Sequence, residues 1–293
     1  MIPSRKRKAR ITLAVLAAAV LVLSLLTAFG AIDFRKRPQA ADAGTSVRFI
    51  DVGQGDCTLA FSEGHALLID TGEYDDRDKV ISYIKSLGIT RLDCLILTHP
   101  HSDHIGEAAD IIEAFEVDRL LIPNTDGEGY PYDRLKEAAS EKGLALEDPR
   151  GAGFDVGGLT VTVFLPEELP EDLNDCSAVV RLTHGENGFL VTGDCGIKEE
   201  KQLLAQGAEL SADVLKAGHH GSSGACSEPF LEAVKPRFAV ISCGAANDYG
   251  HPHEQTLMRL KAFTDKIYTT RDSGTVTFVS DGKELTVYTE KDQ

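Results

Sequence analysis

The chain has 293 residues, 42% hydrophobic and 26% charged, an ordinary globular balance that excludes low-complexity disorder for most of its length. Its net charge is −16, and residues 1–37 hold eight Lys and Arg against Asp33 alone, so the remainder carries about −23. A surface of that charge repels polyanions at long range, which excludes a protein that coats nucleic acid.

The N-terminus is basic at residues 1–10 and then uncharged and apolar at 11–32, a run long enough to span a bilayer. Two interpretations stand: a transmembrane anchor, favoured by the length of the run, and a signal peptide cleaved near Ala28-Phe29-Gly30. Under both, the basic residues stay in the cytoplasm and the chain after the span lies outside it, membrane-anchored or secreted. We predict an anchor or signal segment at 1–32, a linker at 33–45 and a catalytic domain at 46–290.

Strands and helices alternate along the domain. The first half contains predicted strands at 46–52, 57–61, 66–70 and 93–98, and helices at about 76–87 and 105–115. The second half contains predicted strands at 159–164, 177–183, 189–192, 212–218, 237–242, 266–270, 274–279 and 284–289, and helices near 197–206, 227–234 and 254–263. This order predicts an α/β fold with two mixed sheets packed together and helices outside, a four-layer αββα sandwich.

Six cysteines in an exported chain are compatible with disulfides. However, Cys57, Cys94 and Cys243 lie in or beside apolar strand-like runs, where a free cysteine behaves as a small hydrophobe. We therefore expect most of the cysteines to be reduced and buried, and one disulfide bridge is an open alternative.

A cluster of potential metal ligands follows the strand at 93–98. His99, His101, Asp103 and His104 form the pattern H-x-H-x-D-H. Because alternate side chains of an extended segment point to the same side, His99 and His101 can reach one metal together. Asp103 and His104 then lie in the turn into a helix, within reach of a second metal. Imidazole and carboxylate ligands suit zinc, and also iron or manganese.

Several further motifs occur in a fixed order around this cluster. They are DVGQGD (51–56), LIDTG (68–72), THPHSDHIG (98–106), NDCSAVVRL (174–182), TGD (192–194), LKAGHHGS (215–222) and SCGAANDYGHPH (242–253). Together they resemble the metallo-β-lactamase superfamily and, more narrowly, the soluble domain of the ComEC family of DNA-uptake competence proteins. The resemblance covers roughly 46–290. The multi-span channel of that family is missing here, so a direct role in transporting DNA is not implied.

The resemblance implies a site with two divalent metal ions, zinc or manganese. Carried over to this sequence, it places His99 and His101 at one metal and Asp103 and His104 at the other, and Asp194 bridges the two. A histidine of LKAGHHGS completes the second site, His220 in first place and His219 otherwise. Asp70, at the end of a strand, would orient a ligand.

One position departs from the superfamily pattern. Many of its hydrolases carry another histidine upstream of the TGD aspartate, whereas this chain has Leu173-Asn174-Asp175-Cys176-Ser177 there. Asn174 or Asp175 through oxygen, or a water, are the alternatives, and Ser177 is a further candidate for supporting the site. The first metal site would then prefer a harder ion or bind its ion more weakly. Manganese is therefore a candidate beside zinc, and occupation of only one of the two sites is an open alternative.

The leading hypothesis is metal-dependent hydrolysis of a phosphodiester, in DNA or a nucleotide, outside the cytoplasm and through metal-activated water. Metal ions would supply the positive charge that the acidic surface lacks. Asp103 or Asp194 would orient the attacking water, and Ser222 would bind phosphate oxygens. At the mouth of the site we place Asn247, Tyr249 and His251, with His251 as general acid or phosphate contact.

Two alternatives remain. One is hydrolysis of esters, lactones or amides by the same centre, which the acidic surface favours. The other is a cell-surface module that binds metal without turnover. The expected partners are a phosphodiester substrate and, through the N-terminal segment, the membrane; no obligate protein partner is inferred.

Overall fold

The computed structural model describes residues 44–74, 77–125, 127–167, 170 and 172–291. The predicted anchor or signal at 1–32 and almost all of the linker lie outside the described residues. Among the helices that are described, none is long and apolar enough to cross a membrane. The first described strand begins at Thr45, next to the predicted start of the catalytic domain.

The elements follow the alternating order that the sequence indicates. The strands are β1 (Thr45–Phe49), β2 (Thr58–Ser62), β3 (His65–Ile69), β4 (Arg91–Leu92), β5 (Cys94–Ile96), β6 (Glu116–Val117), β7 (Leu120–Leu121), β8 (Leu146–Glu147), β9 (Gly153–Val156), β10 (Leu159–Phe164), β11 (Val179–His184), β12 (Asn187–Val191), β13 (Val214–Lys216), β14 (Phe238–Ile241), β15 (Ile267–Thr269), β16 (Val276–Ser280) and β17 (Leu285–Thr289). The α-helices are α1 (Arg77–Ser86), α2 (Ser102–Ile105), α3 (Ala108–Ala114), α4 (Tyr130–Lys142), α5 (Ile197–Ala205), α6 (Glu228–Val234), α7 (Glu254–Lys261) and α8 (Thr270–Ser273). Short 3₁₀ turns occur at Asn174–Cys176 and Gly218–Gly221.

In the described part of the chain the strands form two large sheets and one small one. The first sheet has eight strands in the order β17-β16-β1-β2-β3-β5-β7-β8, the second has seven in the order β15-β14-β13-β12-β11-β10-β9, and β4 pairs with β6. Strands β3, β5, β7 and β8 run parallel, as do β12 to β15. The carboxyl ends of parallel strands share one edge of a sheet, so the loops after β3 and β5, and those after β12 and β13, are brought together.

Three apolar clusters define the layers. Alternation along β2 sends Leu59 and Phe61 to the cluster under α1, α3 and α4, and Ala60 to the cluster between the sheets. Phe49 and Phe278 of the first sheet meet Phe189 of the second in that central cluster. A third cluster lies between the second sheet and α5, α6 and α7. The order is helix, sheet, sheet, helix, and all six cysteines are free and buried within it.

Several short elements, β4, β6 to β9 and α8, were not predicted, and two longer helical regions also need correction. Helix α4 was not predicted, because only Leu135, Ala138 and Ala139 of it are buried and the apolar period is weak. The helix predicted at 105–115 is two helices: α2 begins earlier, at Ser102, and α3 follows it after a break at 106–107. Gly106 itself has helical backbone angles, φ −55° and ψ −42°, and the departure is at Glu107, with φ −98° and ψ 5°. Glycine is needed at 106 because a Cβ there would lie 2.3 Å from the backbone nitrogen of Tyr74.

The DVGQGD segment supports the turn that carries the histidine cluster. The backbone N–H of Asp56 donates to the carbonyl oxygen of Asp103 at 3.1 Å. Gly55 has a φ of 134°, and a Cβ there would lie 2.5 Å from that same oxygen. Position 55 therefore has no room for a side chain.

We expect Gly55→Ala to lower the melting temperature and to cost about 1–3 kcal/mol of stability, because the added methyl group pushes the Asp103 turn away. Gly64→Ala is the matched control, since Gly64 also has a positive φ, 89°, but a Cβ added there would meet no atom within 4 Å. Thermal unfolding of both variants checks this. Equal losses would mean that backbone conformation alone, and not contact with Asp103, makes glycine necessary at 55.

Candidate metal centre

Predicted site residues from both sheets meet at one edge of the sandwich. Asp70 follows β3, His99 follows β5, Asp194 follows β12 and His220 follows β13. They lie at or beside an open cavity of about 290 Å³. Of the predicted residues, the cavity is lined by His101, Asp103, Asn174, Asp194, His219, His220, Tyr249 and His251.

Four side chains form a compact group of donors. Single ligand atoms of Asp103, His104, Asp194 and His220 all lie within 4.8 Å of one another. His220 Nε2 is 3.1 Å from Asp103 Oδ2 and 3.4 Å from Asp194 Oδ1, and His104 Nε2 is 3.2 Å from the same Asp194 oxygen. This is the donor set expected of the second metal site, and it contains His220 and not His219.

A second group of donors lies on the other side of Asp194. His99 Nε2 and His101 Nδ1 face each other at 3.0 Å. The other carboxylate oxygen of Asp194, Oδ2, is 3.9 Å from His99 Nε2. The two oxygens of Asp194 thus face different sets of imidazoles, as a bridging carboxylate does.

The donor chemistry fits divalent metal ions. His104 Nε2 and Asp194 Oδ1 are fully buried, and neither makes a well-formed hydrogen bond within the described residues. Buried polar atoms without such a partner are costly, and a metal ion would satisfy both. Nitrogen and oxygen donors of this kind suit zinc or manganese.

The electrostatics of the site favour a bound cation. Burial disfavours a charged imidazole at His104, but the carboxylates of Asp194 and Asp70 outweigh it and hold the pKa of His104 well above its usual value. Burial opposes charge on Asp194 too, yet His220 and His104 hold the pKa of that carboxyl well below its usual range. Protons on imidazoles therefore balance the carboxylates, and metal binding would displace them.

Asp70 fixes the orientation of His104. Its Oδ2 accepts hydrogen bonds from Thr98 Oγ1 at 2.7 Å and His104 Nδ1 at 2.8 Å, and its Oδ1 accepts from the Thr98 backbone N–H at 2.7 Å. Asp70 is fully buried and has a φ of 57°, a left-handed conformation that is strained for aspartate. With Nδ1 bound in this way, Nε2 of His104 points at the metal position.

The two adjacent histidines of HHGS take different directions. Both have left-handed backbone conformations, with φ of 48° at His219 and 51° at His220. His220 Nδ1 donates to the Ser242 carbonyl at 3.0 Å, which leaves Nε2 for the metal. His219 is about one-third exposed, and its Nε2 lies 3.7 Å from Asp194 Oδ2. Strained residues at such a position are typical of a functional site.

A comparison of sequences identifies the family to which the chain belongs. Residues 50–245, more than half of the chain, match the sequence model of the metallo-beta-lactamase superfamily. The chain belongs to the metallo-β-lactamase superfamily. It is accordingly a metal-dependent hydrolase, as the H-x-H-x-D-H pattern predicts.

Two curated relatives refine the membership of the superfamily. "ComE operon protein 3" of Bacillus subtilis (strain 168) is 34% identical over a 252-residue alignment, and the match covers 79% of this chain and 32% of that protein. "Competence protein ComA" of Neisseria gonorrhoeae is 32% identical over a 249-residue alignment, and the match covers 83% of this chain and 33% of that protein. The ComEC resemblance is thereby confirmed. The chain spans about a third of the length of these relatives.

A solved structure supports the fold. The metallo-beta-lactamase fold protein YhfI from Bacillus subtilis aligns with a TM-score of 0.54 and 15% identity, over 80% of this chain and 99% of that one. At that identity the likeness concerns the fold alone.

Of the remaining predicted residues, some hold the metal-ligand side chains in place and others belong to loops beside the site. Ser177 is buried, and its Oγ accepts from the backbone N–H of Asp194 at 3.0 Å and lies 3.3 Å from His99 Nδ1. The Asn247 amide donates to the carbonyls of Gly244 and His251 and so shapes its own loop. Ser222 Oγ accepts from the Gly224 N–H at 3.4 Å and does not line the cavity. The predicted phosphate contact through Ser222 thus has no support from its position.

Tyr249 and His251 form the rim. Tyr249 is 68% exposed, and its ring stacks on that of His251 with centroids 5.6 Å apart. His251 is buried and stacks in turn on His220. Burial and the imidazoles of His220 and His219 lower the pKa of His251 to about 4, so the ring is neutral near pH 7. A neutral ring fits hydrogen bonding to substrate better than delivery of a proton.

Two buried charged residues behind the site were missed. Lys216 is fully buried, forms an ion pair with Asp56 and donates from Nζ to the Gly193 carbonyl at 2.8 Å. Asp56 Oδ1 also lies 3.5 Å from His220 Nδ1. Both residues lie in motifs that the sequence shows: Asp56 is the final aspartate of DVGQGD, and Lys216 is the lysine of LKAGHHGS. No local pattern indicates that the two pair.

We expect Asp70→Asn to weaken metal binding about 10- to 100-fold, because His104 loses the carboxylate that orients it. Asp93→Asn is the control, since Asp93 also accepts from an imidazole Nδ1, that of His65, and from a backbone N–H, but at the surface. Calorimetric titration of chelator-treated protein with Mn²⁺ and with Zn²⁺ measures the effect. Unchanged affinity in Asp70→Asn would contradict the orienting role.

Proposed function

We propose that this chain is a phosphodiesterase that uses two divalent ions, zinc or manganese, and acts outside the cytoplasm on DNA or a nucleotide. The observation that carries the proposal is the position of Asp194, whose two oxygens face separate groups of imidazoles beside an open cavity. Two divalent ions held by these residues would supply Lewis acidity and a more acidic water for phosphoryl transfer.

The chain's own residues perform distinct tasks in this proposal. His99, His101, His104 and His220 hold the ions, and Asp194 and Asp103 orient the attacking water through their carboxylate oxygens. His251 and Tyr249, on the rim, contact the substrate. His251 would donate a hydrogen bond to a phosphate oxygen from its one N–H and would not deliver a proton, because its ring is neutral near pH 7.

The acidic surface of the chain disfavours a polyanionic substrate, but the charge within the site would differ once metal ions are bound. The site buries the carboxylates of Asp56, Asp70 and Asp194 close together, with Lys216 beside them. Divalent ions would reverse the sign of the potential in the cavity while the outer surface stays acidic. A polyanion would then bind only at the site, which favours a nucleotide or a chain end over extended contact with a duplex.

The relatives support a setting at the cell envelope. One of them is named a competence protein, and DNA that is taken up must cross the membrane. We propose that residues 1–32 anchor the chain in the membrane, or direct its secretion, and that the domain after them faces outward. A role in competence belongs to the same proposal.

Hydrolysis of small esters, lactones or amides is the second candidate. The cavity of about 290 Å³ is small, and the chain after residue 37 carries a net charge of about −23, both of which suit a compact uncharged substrate. The same metal ligands would serve. Comparing bis-p-nitrophenyl phosphate with p-nitrophenyl acetate and a simple lactone separates the two candidates.

We expect His99→Ala and Asp194→Ala each to abolish metal-dependent cleavage of bis-p-nitrophenyl phosphate, because each removes a donor that faces the ions. His65→Ala is the matched control, as His65 lies on the surface in an ion pair with Asp93. Turnover is measured with Mn²⁺ and Zn²⁺ added separately after chelation. Wild-type turnover in either site variant would refute the assignment, and ester cleavage without phosphodiester cleavage would favour the second candidate.

A further inference from the structure

Asn174 occupies the place where the sequence lacks the superfamily's additional histidine. It begins the short 3₁₀ turn Asn174–Cys176 and lines the cavity. Its Oδ1 lies 3.0 Å from His101 Nδ1, which in turn lies 3.0 Å from His99 Nε2. One imidazole nitrogen is therefore flanked by two other potential ligand atoms.

Hydrogen bonding at Nδ1 of His99 determines whether its Nε2 carries a proton or a lone pair. His99 Nδ1 lies 3.2 Å from Thr98 Oγ1 and 3.3 Å from Ser177 Oγ. Thr98 Oγ1 gives its own proton to Asp70, and Ser177 Oγ accepts from the Asp194 N–H, so both oxygens are able to accept from His99. With the ring proton on Nδ1, Nε2 presents a lone pair towards His101.

The carboxamide oxygen of Asn174 also presents lone pairs to His101 Nδ1. Three electron-rich atoms then converge, and the arrangement needs a proton or a metal cation among them. Asp194 Oδ2, at 3.9 Å from His99 Nε2, faces the same region. The donors are two nitrogens and two oxygens.

We propose that Asn174 Oδ1 is a ligand of the first metal and takes the place of a third imidazole. The inference rests on the two-metal part of the proposed function. A carbonyl oxygen suits manganese and other hard divalent ions, whereas imidazole suits zinc. The substitution therefore shifts this site towards Mn²⁺ relative to a site with three imidazoles.

Two neighbours compete for this role, and the structure argues against one of them, Asp175. The carboxylate of Asp175 lies 3.8 Å from Lys198 Nζ, and Asp175 does not line the cavity. His219 Nε2 lies 3.7 Å from Asp194 Oδ2 and is the stronger competitor, because it would supply the missing imidazole from another loop. Variants at all three positions distinguish these possibilities.

The test is calorimetric titration of chelator-treated full chain with Mn²⁺ and with Zn²⁺. We expect Asn174→Ala to weaken one of two Mn²⁺ sites by about tenfold or more and to leave the other unchanged. Asn174→His should raise the ratio of zinc to manganese affinity at that site by about tenfold or more, because it restores a third imidazole. Asp175→Asn is the matched control and should bind both metals like the wild type.

Three results would overturn the proposal: wild-type affinities in Asn174→Ala, an unchanged metal preference in Asn174→His, or loss of the first site in His219→Ala but not in Asn174→Ala. Thermal unfolding of the chelated variants checks that each one folds. Because no substrate is present, the outcome is independent of phosphodiester cleavage. A chain that binds metal as expected but cleaves no phosphodiester would overturn the proposed function and leave this inference standing.

Discussion

The Asp194 carboxylate is buried between imidazoles that come from two parts of the chain, and the site depends on balancing its charge. His99 and His104 arrive from the loop after β5, and His220 arrives from the loop after β13. A buried carboxylate among other carboxylates is unfavourable unless cations lie beside it. The raised pKa values of His104 and His220 favour protonated imidazoles beside it, and divalent ions would serve better because each brings two charges and satisfies several donors.

The fold holds these groups in place through contacts made behind them. Asp70 orients His104, and Ser177 joins Asp194 to His99. The ion pair of Asp56 with Lys216 links the DVGQGD segment of the first half to β13 of the second. Breaking a buried ion pair on one side is strongly destabilising, so this link ties the arrangement of the ligands to the stability of the sandwich.

Much of the site could be predicted because its information is local. H-x-H-x-D-H lies within six residues, and its ligands need only an extended segment and a turn. The position of Asp70 beside His104 follows from the parallel pairing of β3 with β5, where Ile69 lies opposite Ile96. The alternating pattern of strands and helices sufficed for the order of the layers.

Other features depend on distances that a single sequence does not contain. Asp56 and Lys216 are far apart in the chain, and neither residue type indicates a buried partner. Asn247 was placed at the mouth of the site from its motif, and the motif does not indicate that its amide donates to two carbonyls of its own loop. Helix α4 is largely exposed, so its polar sequence lacks the apolar period on which helix prediction relies.

The central claim is that Asp194 lies between two metal ions. Anomalous diffraction from crystals grown with Mn²⁺, recorded at the manganese edge, tests it without any assumption about substrate. The account predicts two anomalous peaks about 3.5–4 Å apart, one beside His99 and His101 and the other beside His104 and His220, with Asp194 contacting both. A single peak, or peaks away from Asp194, would contradict it.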